Sequence, residues 1–126
     1  FRRDEARADV LKANAILVDM EPKVVQKCLT STKQTKSGIL WEYQGQDAVY
    51  KQGGSGNNWA LGYHYYDEEV YAATSESIRR QLEPMDYFGG FQVLQSLAGG
   101  TGSGLGTHLV ERLREDFPRA NLINVA

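Results

Sequence analysis

The segment from Gly90 to Pro118 constrains the fold more than any other. Gly90-Phe-Gln-Val-Leu-Gln-Ser-Leu97 reads as a strand, and Ala98-Gly-Gly-Thr-Gly-Ser-Gly104 as a glycine turn. Leu105, Leu109, Leu113 and Phe117 then recur at helical spacing, with Glu111, Arg112, Arg114 and Glu115 largely on the other side. Pro118 closes the helix, and a further strand is expected near Asn121. A strand feeding a glycine turn that opens a helix is a recipe for an anion site. The first N–H groups of a helix lack intrahelical partners, and its dipole favours negative charge there. Glycine lets that backbone approach a phosphate closely, while Thr101 and Ser103 add hydroxyl donors. The alternative is a flexible turn packed tightly under its helix.

The common phosphate and nucleophile templates do not describe this turn. No lysine follows its glycines, as a Walker A loop requires. Position 105 is Leu and position 107 is Thr, so Gly-x-Gly-x-x-Gly fails from Gly100 and from Gly102. Ser103 is flanked two residues away by Thr101 and Leu105, which excludes a nucleophile elbow.

Upstream, Ala13-Asn-Ala-Ile-Leu-Val18 is a short apolar run expected as a strand, preceded by a charged, helix-compatible dozen residues. It ends at Asp19-Met-Glu21-Pro22, and Pro22 suits the first turn of a helix carrying Val24, Val25, Cys28 and Leu29. Residues 30–38 form a polar connector, Ile39–Gln52 an irregular extended stretch, and Gly53–Asn58 a flexible loop. A second helix is expected from Asp67, with Val70, Thr74, Ile78 and Leu82 four apart, ending at Glu83-Pro84. Strands alternating with helices predict an α/β domain with a mainly parallel sheet.

In such sheets ligands sit at the carboxyl ends of strands. Asp19 and Glu21 lie at one such end, where paired carboxylates suit Mg²⁺ beside a phosphate; they equally suit a helix N-terminus. Gly56-Asn57-Asn58 offers amide donors or simply a turn. Tyr63, His64, Tyr65 and Tyr66 could stack a base, or pack beside a helix start. His64 and His108 are expected to be bystanders, with His108 on the helix surface, and Cys28 to pack a helix face.

Composition narrows the classes. With 14 Lys+Arg against 16 Asp+Glu, the chain is no strongly basic nucleic-acid binder. Its single cysteine forms no internal disulfide, and no apolar run reaches the roughly 18 residues of a membrane span. The charge is uneven: residues 1–36 hold 8 basic and 5 acidic side chains, a net of +3. The chain opens on Phe1-Arg-Arg and ends in the strand-like Asn121–Ala126, so residues 1–126 are expected to be one partial domain, truncated at both ends.

Three motifs together resemble the tubulin family. Ala98–Gly104 is similar to its glycine signature, Val18-Asp-Met-Glu-Pro22 to its acidic loop, and Gly56-Asn-Asn-Trp-Ala60 to its asparagine loop. Their order and spacing match, so the resemblance spans nearly the whole chain. Val18–Val24 and Tyr50–Ala60 look most like the delta branch, with the gamma branch second. Ala98 stands where alpha and beta members usually carry glycine, and Thr30–Asp47 also departs from them.

The resemblance implies the middle part of a Rossmann-like GTP-binding domain, a mainly parallel sheet flanked by helices. It implies that Ser96 with Ala98, Gly99, Gly100, Thr101, Gly102, Ser103 and Gly104 cradles the phosphates. Ser55, Gly56 and Asn57 approach the terminal phosphate, and Asp19 and Glu21 serve the Mg²⁺ end. It identifies no catalytic residue in this stretch, since the acidic residue that promotes hydrolysis lies beyond it, and leaves enzymatic activity open. It further implies other tubulins as partners, with no nucleic acid or membrane, in the cytoplasmic cytoskeleton at centrioles or basal bodies. Gamma-type nucleation, a non-hydrolysing structural subunit, and an unrelated phosphate enzyme using Asp19 or Glu21 as base are the alternatives.

Overall fold

The computed structural model describes residues 1–3, 6–64 and 67–126. In chain order the elements are β1 (Arg2–Arg3), β2 (Val10–Lys12), β3 (Leu17–Asp19), α1 (Pro22–Leu29), β4 (Lys33–Gln34) and β5 (Leu40–Glu42). A 3₁₀ turn (Gly45–Asp47), β6 (Ala48–Tyr50), α2 (Trp59–His64), α3 (Asp67–Leu82) and β7 (Phe91–Leu94) follow. A π-helical turn (Thr101–Leu105) then leads into α4 (Gly106–Asp116), and β8 (Leu122–Val125) is last.

The expected α/β alternation is present, but the single mainly parallel sheet is not. Among the described residues the strands fall into three ladders: a mixed sheet ordered β1-β2-β5-β4, and the parallel pairs β3–β6 and β7–β8. The apolar run 13–18 explains part of this division. Its start continues the mixed sheet, where the Ala13 N–H donates to the Glu42 carbonyl at 2.9 Å. Its end, Leu17–Asp19, turns instead to Ala48–Tyr50. Among the described residues the first dozen are not helical either. A turn closed by the Val10 N–H on the Arg7 carbonyl folds β1 back on β2, and Val10 is fully buried beside β5. Tertiary pairing overrides a composition that favours helix.

The helices follow the sequence more closely. On α3 the buried face is Val70, Thr74 and Ile78, joined by Ser77 and Gln81. Polar side chains tie α3 to the segments between the strands: Gln81 donates to the Ala15 carbonyl at 3.1 Å and Arg80 to the Gln46 carbonyl of the 3₁₀ turn at 2.8 Å. On α4, Leu113 is buried, and Phe117, just past its end, packs edge-on to Phe91 with ring centroids 5.1 Å apart.

The core is Met20, Val70 and Leu105, with Val18, Val49 and Leu109 packed around it. Met20 belongs to the acidic loop and Leu105 ends the π turn, each about 1 % exposed. Burying two such side chains stabilises by about 1.5–3 kcal/mol each. The core therefore lies directly beneath the loops that carry the motifs.

Candidate functional site

The acidic loop is built by its own backbone. Asp19 ends β3 and accepts the Glu21 N–H on Oδ1 at 3.2 Å. Glu21 is the extended residue that precedes α1, and its carboxylate is exposed. The Gly54 N–H then donates to the Met20 carbonyl at 3.2 Å, joining the acidic loop to the asparagine loop. Glu21 Oε1 lies 3.9 Å from where a Cβ on Gly54 would stand.

In the asparagine loop, Gly56 and Asn57 both take φ of 56°, the left-handed region. Asn57 is the only non-glycine residue there among the described residues, and asparagine tolerates it better than most. That conformation turns the Asn57 amide toward the glycine turn. Its Oδ1 lies 3.5 Å from the Cβ position of Gly99, which is itself left-handed at φ 84°. Ser55 is buried, and the Asn58 side chain accepts the Leu61 N–H at 3.2 Å to start α2.

The glycine turn is not a loose loop. The N–H groups of Gly104 and Leu105 both donate to the Gly100 carbonyl, at 2.8 and 3.3 Å, and the second of these bonds makes the turn π-helical. Such turns are frequent at functional sites. The Ser103 hydroxyl donates to the Gly99 carbonyl, and the Ala98 N–H to Ser96 Oγ at 3.1 Å. The helical turn starts at Thr101, so the N–H groups of Thr101, Gly102 and Ser103 are those without intrahelical partners.

Gly100, Gly102 and Gly104 have a packing reason that the sequence did not reveal. A Cβ on Gly100 would stand 2.1 Å from Ser55 Oγ, one on Gly102 2.6 Å from the Ser96 carbonyl, and one on Gly104 2.3 Å from the Trp59 carbonyl. Helix α2, which sequence reading left unassigned, presses on the turn through Gly62, whose Cβ would fall 2.0 Å from the Gly100 carbonyl. The missed signal was a glycine inside a short apolar segment. Trp59 stacks on Tyr63 with centroids 4.7 Å apart, and Tyr63 meets His108 edge-on at 4.9 Å and donates to Glu111. His108 is thus half-buried under α2 and not a surface residue of α4. The expectation for Tyr65 and Tyr66 lies outside the described residues.

The three loops therefore meet: Glu21 beside Gly54, Asn57 beside Gly99, and Ser55 beneath Gly100. A phosphate suits this setting, since the turn presents helix-start N–H groups and Thr101 a half-buried hydroxyl. Among the described residues no three His, Cys, Asp or Glu side chains cluster as a metal site. Asp19 and Glu21 supply the one or two carboxylates that Mg²⁺ takes when phosphate and water complete its shell, so the donor set fits that ion.

Over residues 1–126 the chain matches the GTPase domain of the Tubulin/FtsZ family, and it belongs to that family. It is similar to the tubulin delta chain of Macaca fascicularis, 42 % identical over 113 residues, 89 % of this chain and 24 % of the relative. The Mus musculus tubulin delta chain is 37 % identical over 124 residues, 98 % of this chain and 26 % of that one. A tubulin beta-1 chain of Chondrus crispus is 42 % identical over 104 residues, 82 % and 22 % of the two chains. The chain thus spans about a quarter of the length of these relatives.

Proposed function

We propose that the protein binds GTP with Mg²⁺ and acts in the cytoskeleton beside other tubulins. Residues 1–126 are the middle part of its nucleotide-binding domain, with β3–β6 and β7–β8 belonging to one Rossmann-like, mainly parallel sheet. The observation that carries this reading is the meeting of the acidic, asparagine and glycine loops over one core. In it, Ser96 and Ala98–Gly104 cradle the phosphates. Ser103 acts through its N–H, because its hydroxyl is engaged by the Gly99 carbonyl. Ser55, Gly56 and Asn57 approach the terminal phosphate, and Asp19 and Glu21 hold Mg²⁺, directly or through water. The bound ion neutralises phosphate charge. Similarity to tubulin delta chains supports placement at centrioles or basal bodies.

The test is nucleotide retention by the full-length protein, read by chromatography of nucleotide released on denaturation. Wild type is expected to release GTP. Glu21→Gln, an exposed change, is expected to keep stability and weaken retention in a Mg²⁺-dependent way. A folded wild type that neither retains nor rebinds GTP would sink the proposal.

A further inference from the structure

We propose that the free edge of β6 and the facing side of α3 form a docking groove for an extended, carboxylate-bearing peptide segment of another protein. Among the described residues β6 pairs with β3 on one side only. Unpaired backbone N–H and C=O groups along an edge strand are a template for a further strand, which is how several peptide-binding domains add their ligands.

The space for such a strand is present. A groove of about 420 Å³ runs along this edge, with Ala48, Val49 and Tyr50 on the strand side and Ala73, Glu76 and Arg80 on the helix side. The exposed methyl of Ala73 leaves the middle of the helix wall low, where a larger side chain would close the groove.

Charge selects the occupant. At one end Lys51 pairs with Glu69. Farther along, Glu76 is bonded to Arg79, whose guanidinium holds its carboxyl below the ordinary glutamate value, and Arg79 also pairs with Glu83. Arg80 is different. It donates to the Gln46 carbonyl and to Ser77 Oγ, and among the described residues it meets the Glu76 carboxylate through charge alone, with no hydrogen bond between them. Its Nε–H is buried and has no acceptor. A carboxylate beside an added strand would draw the guanidinium toward the groove and give that N–H its partner, since a guanidinium binds a carboxylate through paired N–H groups.

The experiment uses the full-length protein and a fluorescein-labelled heptapeptide of alternating valine and threonine with one central glutamate, followed by fluorescence anisotropy. Saturable binding is expected, weakened at least tenfold when alternate peptide N–H groups are methylated, or when the glutamate is replaced by glutamine. Ala73→Arg is expected to abolish binding while leaving GTP retention in the same sample at its wild-type level, so this failure and that of the nucleotide reading are distinguishable. Equal binding of the methylated or glutamine peptide overturns the proposal, as does no saturable binding to wild type. A wild-type dimer that Ala73→Arg dissociates overturns it too, because the occupant is then a second copy.

Discussion

At the glycine turn, backbone meets backbone: α2 and the asparagine loop approach so closely that a single methyl group on Gly62 or Gly100 has nowhere to go. In the mixed sheet the contacts are made by long side chains. Glu42 gathers Arg7 at 3.1 Å, Lys12 at 3.2 Å and the Thr32 hydroxyl at 2.6 Å. Lys33 lies over the rings of Tyr43 and Trp41 and donates to carbonyls at the end of α1. The first region tolerates almost no substitution, because main-chain geometry is fixed by the space available. The second can exchange one set of side chains for another and keep its shape.

The largest expected effect tests the first half of that contrast. Gly62→Ala brings a methyl within 2.0 Å of the Gly100 carbonyl, with backbone on both sides of the contact. Overpacking of this kind is expected to cost about 3 kcal/mol or more and to release bound nucleotide. Urea unfolding of the full-length protein measures it. A loss smaller than about 1 kcal/mol would mean that α2 slides aside easily and that the turn is looser than its contacts indicate.

Gly56→Ala separates shape from space. Nothing lies within 4 Å of its Cβ position, yet its φ is +56°. The expected cost is about 1 kcal/mol, from conformation alone. Gly45→Ala, with open space and no such φ, is the control and is expected to stay within about 0.5 kcal/mol. Equal losses at both positions would refute the conformational account of the asparagine loop.

These glycines also mark what the sequence could and could not tell. Gly99–Gly104 were legible because a strand, a turn and an amphipathic helix follow one another with unambiguous periods. Val70, Thr74 and Ile78 were legible for the same reason. Helix α2 was not, since Trp59–His64 is too short to show a period and contains a glycine. Missing it also misplaced His108, which meets Tyr63 of α2. The strands of the mixed sheet are two or three residues long, and Arg2–Arg3 has no apolar alternation at all. Their pairing is decided by distant partners, which no local pattern encodes. The candidate site residues were read as motifs. Their contacts were not, because the Gly100 approach to Ser55 joins loops far apart in sequence.

A smaller effect probes the second region. Lys33→Met keeps the aliphatic stem but removes the ammonium that donates to the Cys28 and Ser31 carbonyls and faces Tyr43. About 1 kcal/mol of stability is expected to be lost. Nucleotide retention is expected to be unchanged, since the change lies at the far end of α1 from Asp19 and Glu21. Loss of nucleotide together with stability would show that α1 transmits strain between the two regions, and the contrast drawn above would fail.

The smallest effect is a pH dependence confined to the mixed sheet. The Thr32 hydroxyl, and then Lys12, hold the Glu42 carboxyl below the ordinary glutamate value of 4.5. A carboxylate whose folded value is depressed contributes stability that is complete above its unfolded value and is lost as pH falls through the folded one. The sheet is therefore expected to loosen on acidification below 4.5, and not on the alkaline side. Trp41, in the strand that carries Glu42, reports it by fluorescence in a Trp59→Phe background. Thr32→Val removes the largest cause and is expected to move the transition up toward 4.5. Glu42→Gln is expected to remove it, while the glycine turn, whose close contacts among the described residues are to backbone and uncharged side chains, keeps its acid profile in both variants. An acid transition that persists in Glu42→Gln would place the titrating group elsewhere. The mixed sheet would then be held mainly by its strand pairing and its aromatic rings, and the contrast with the glycine turn would rest on packing alone.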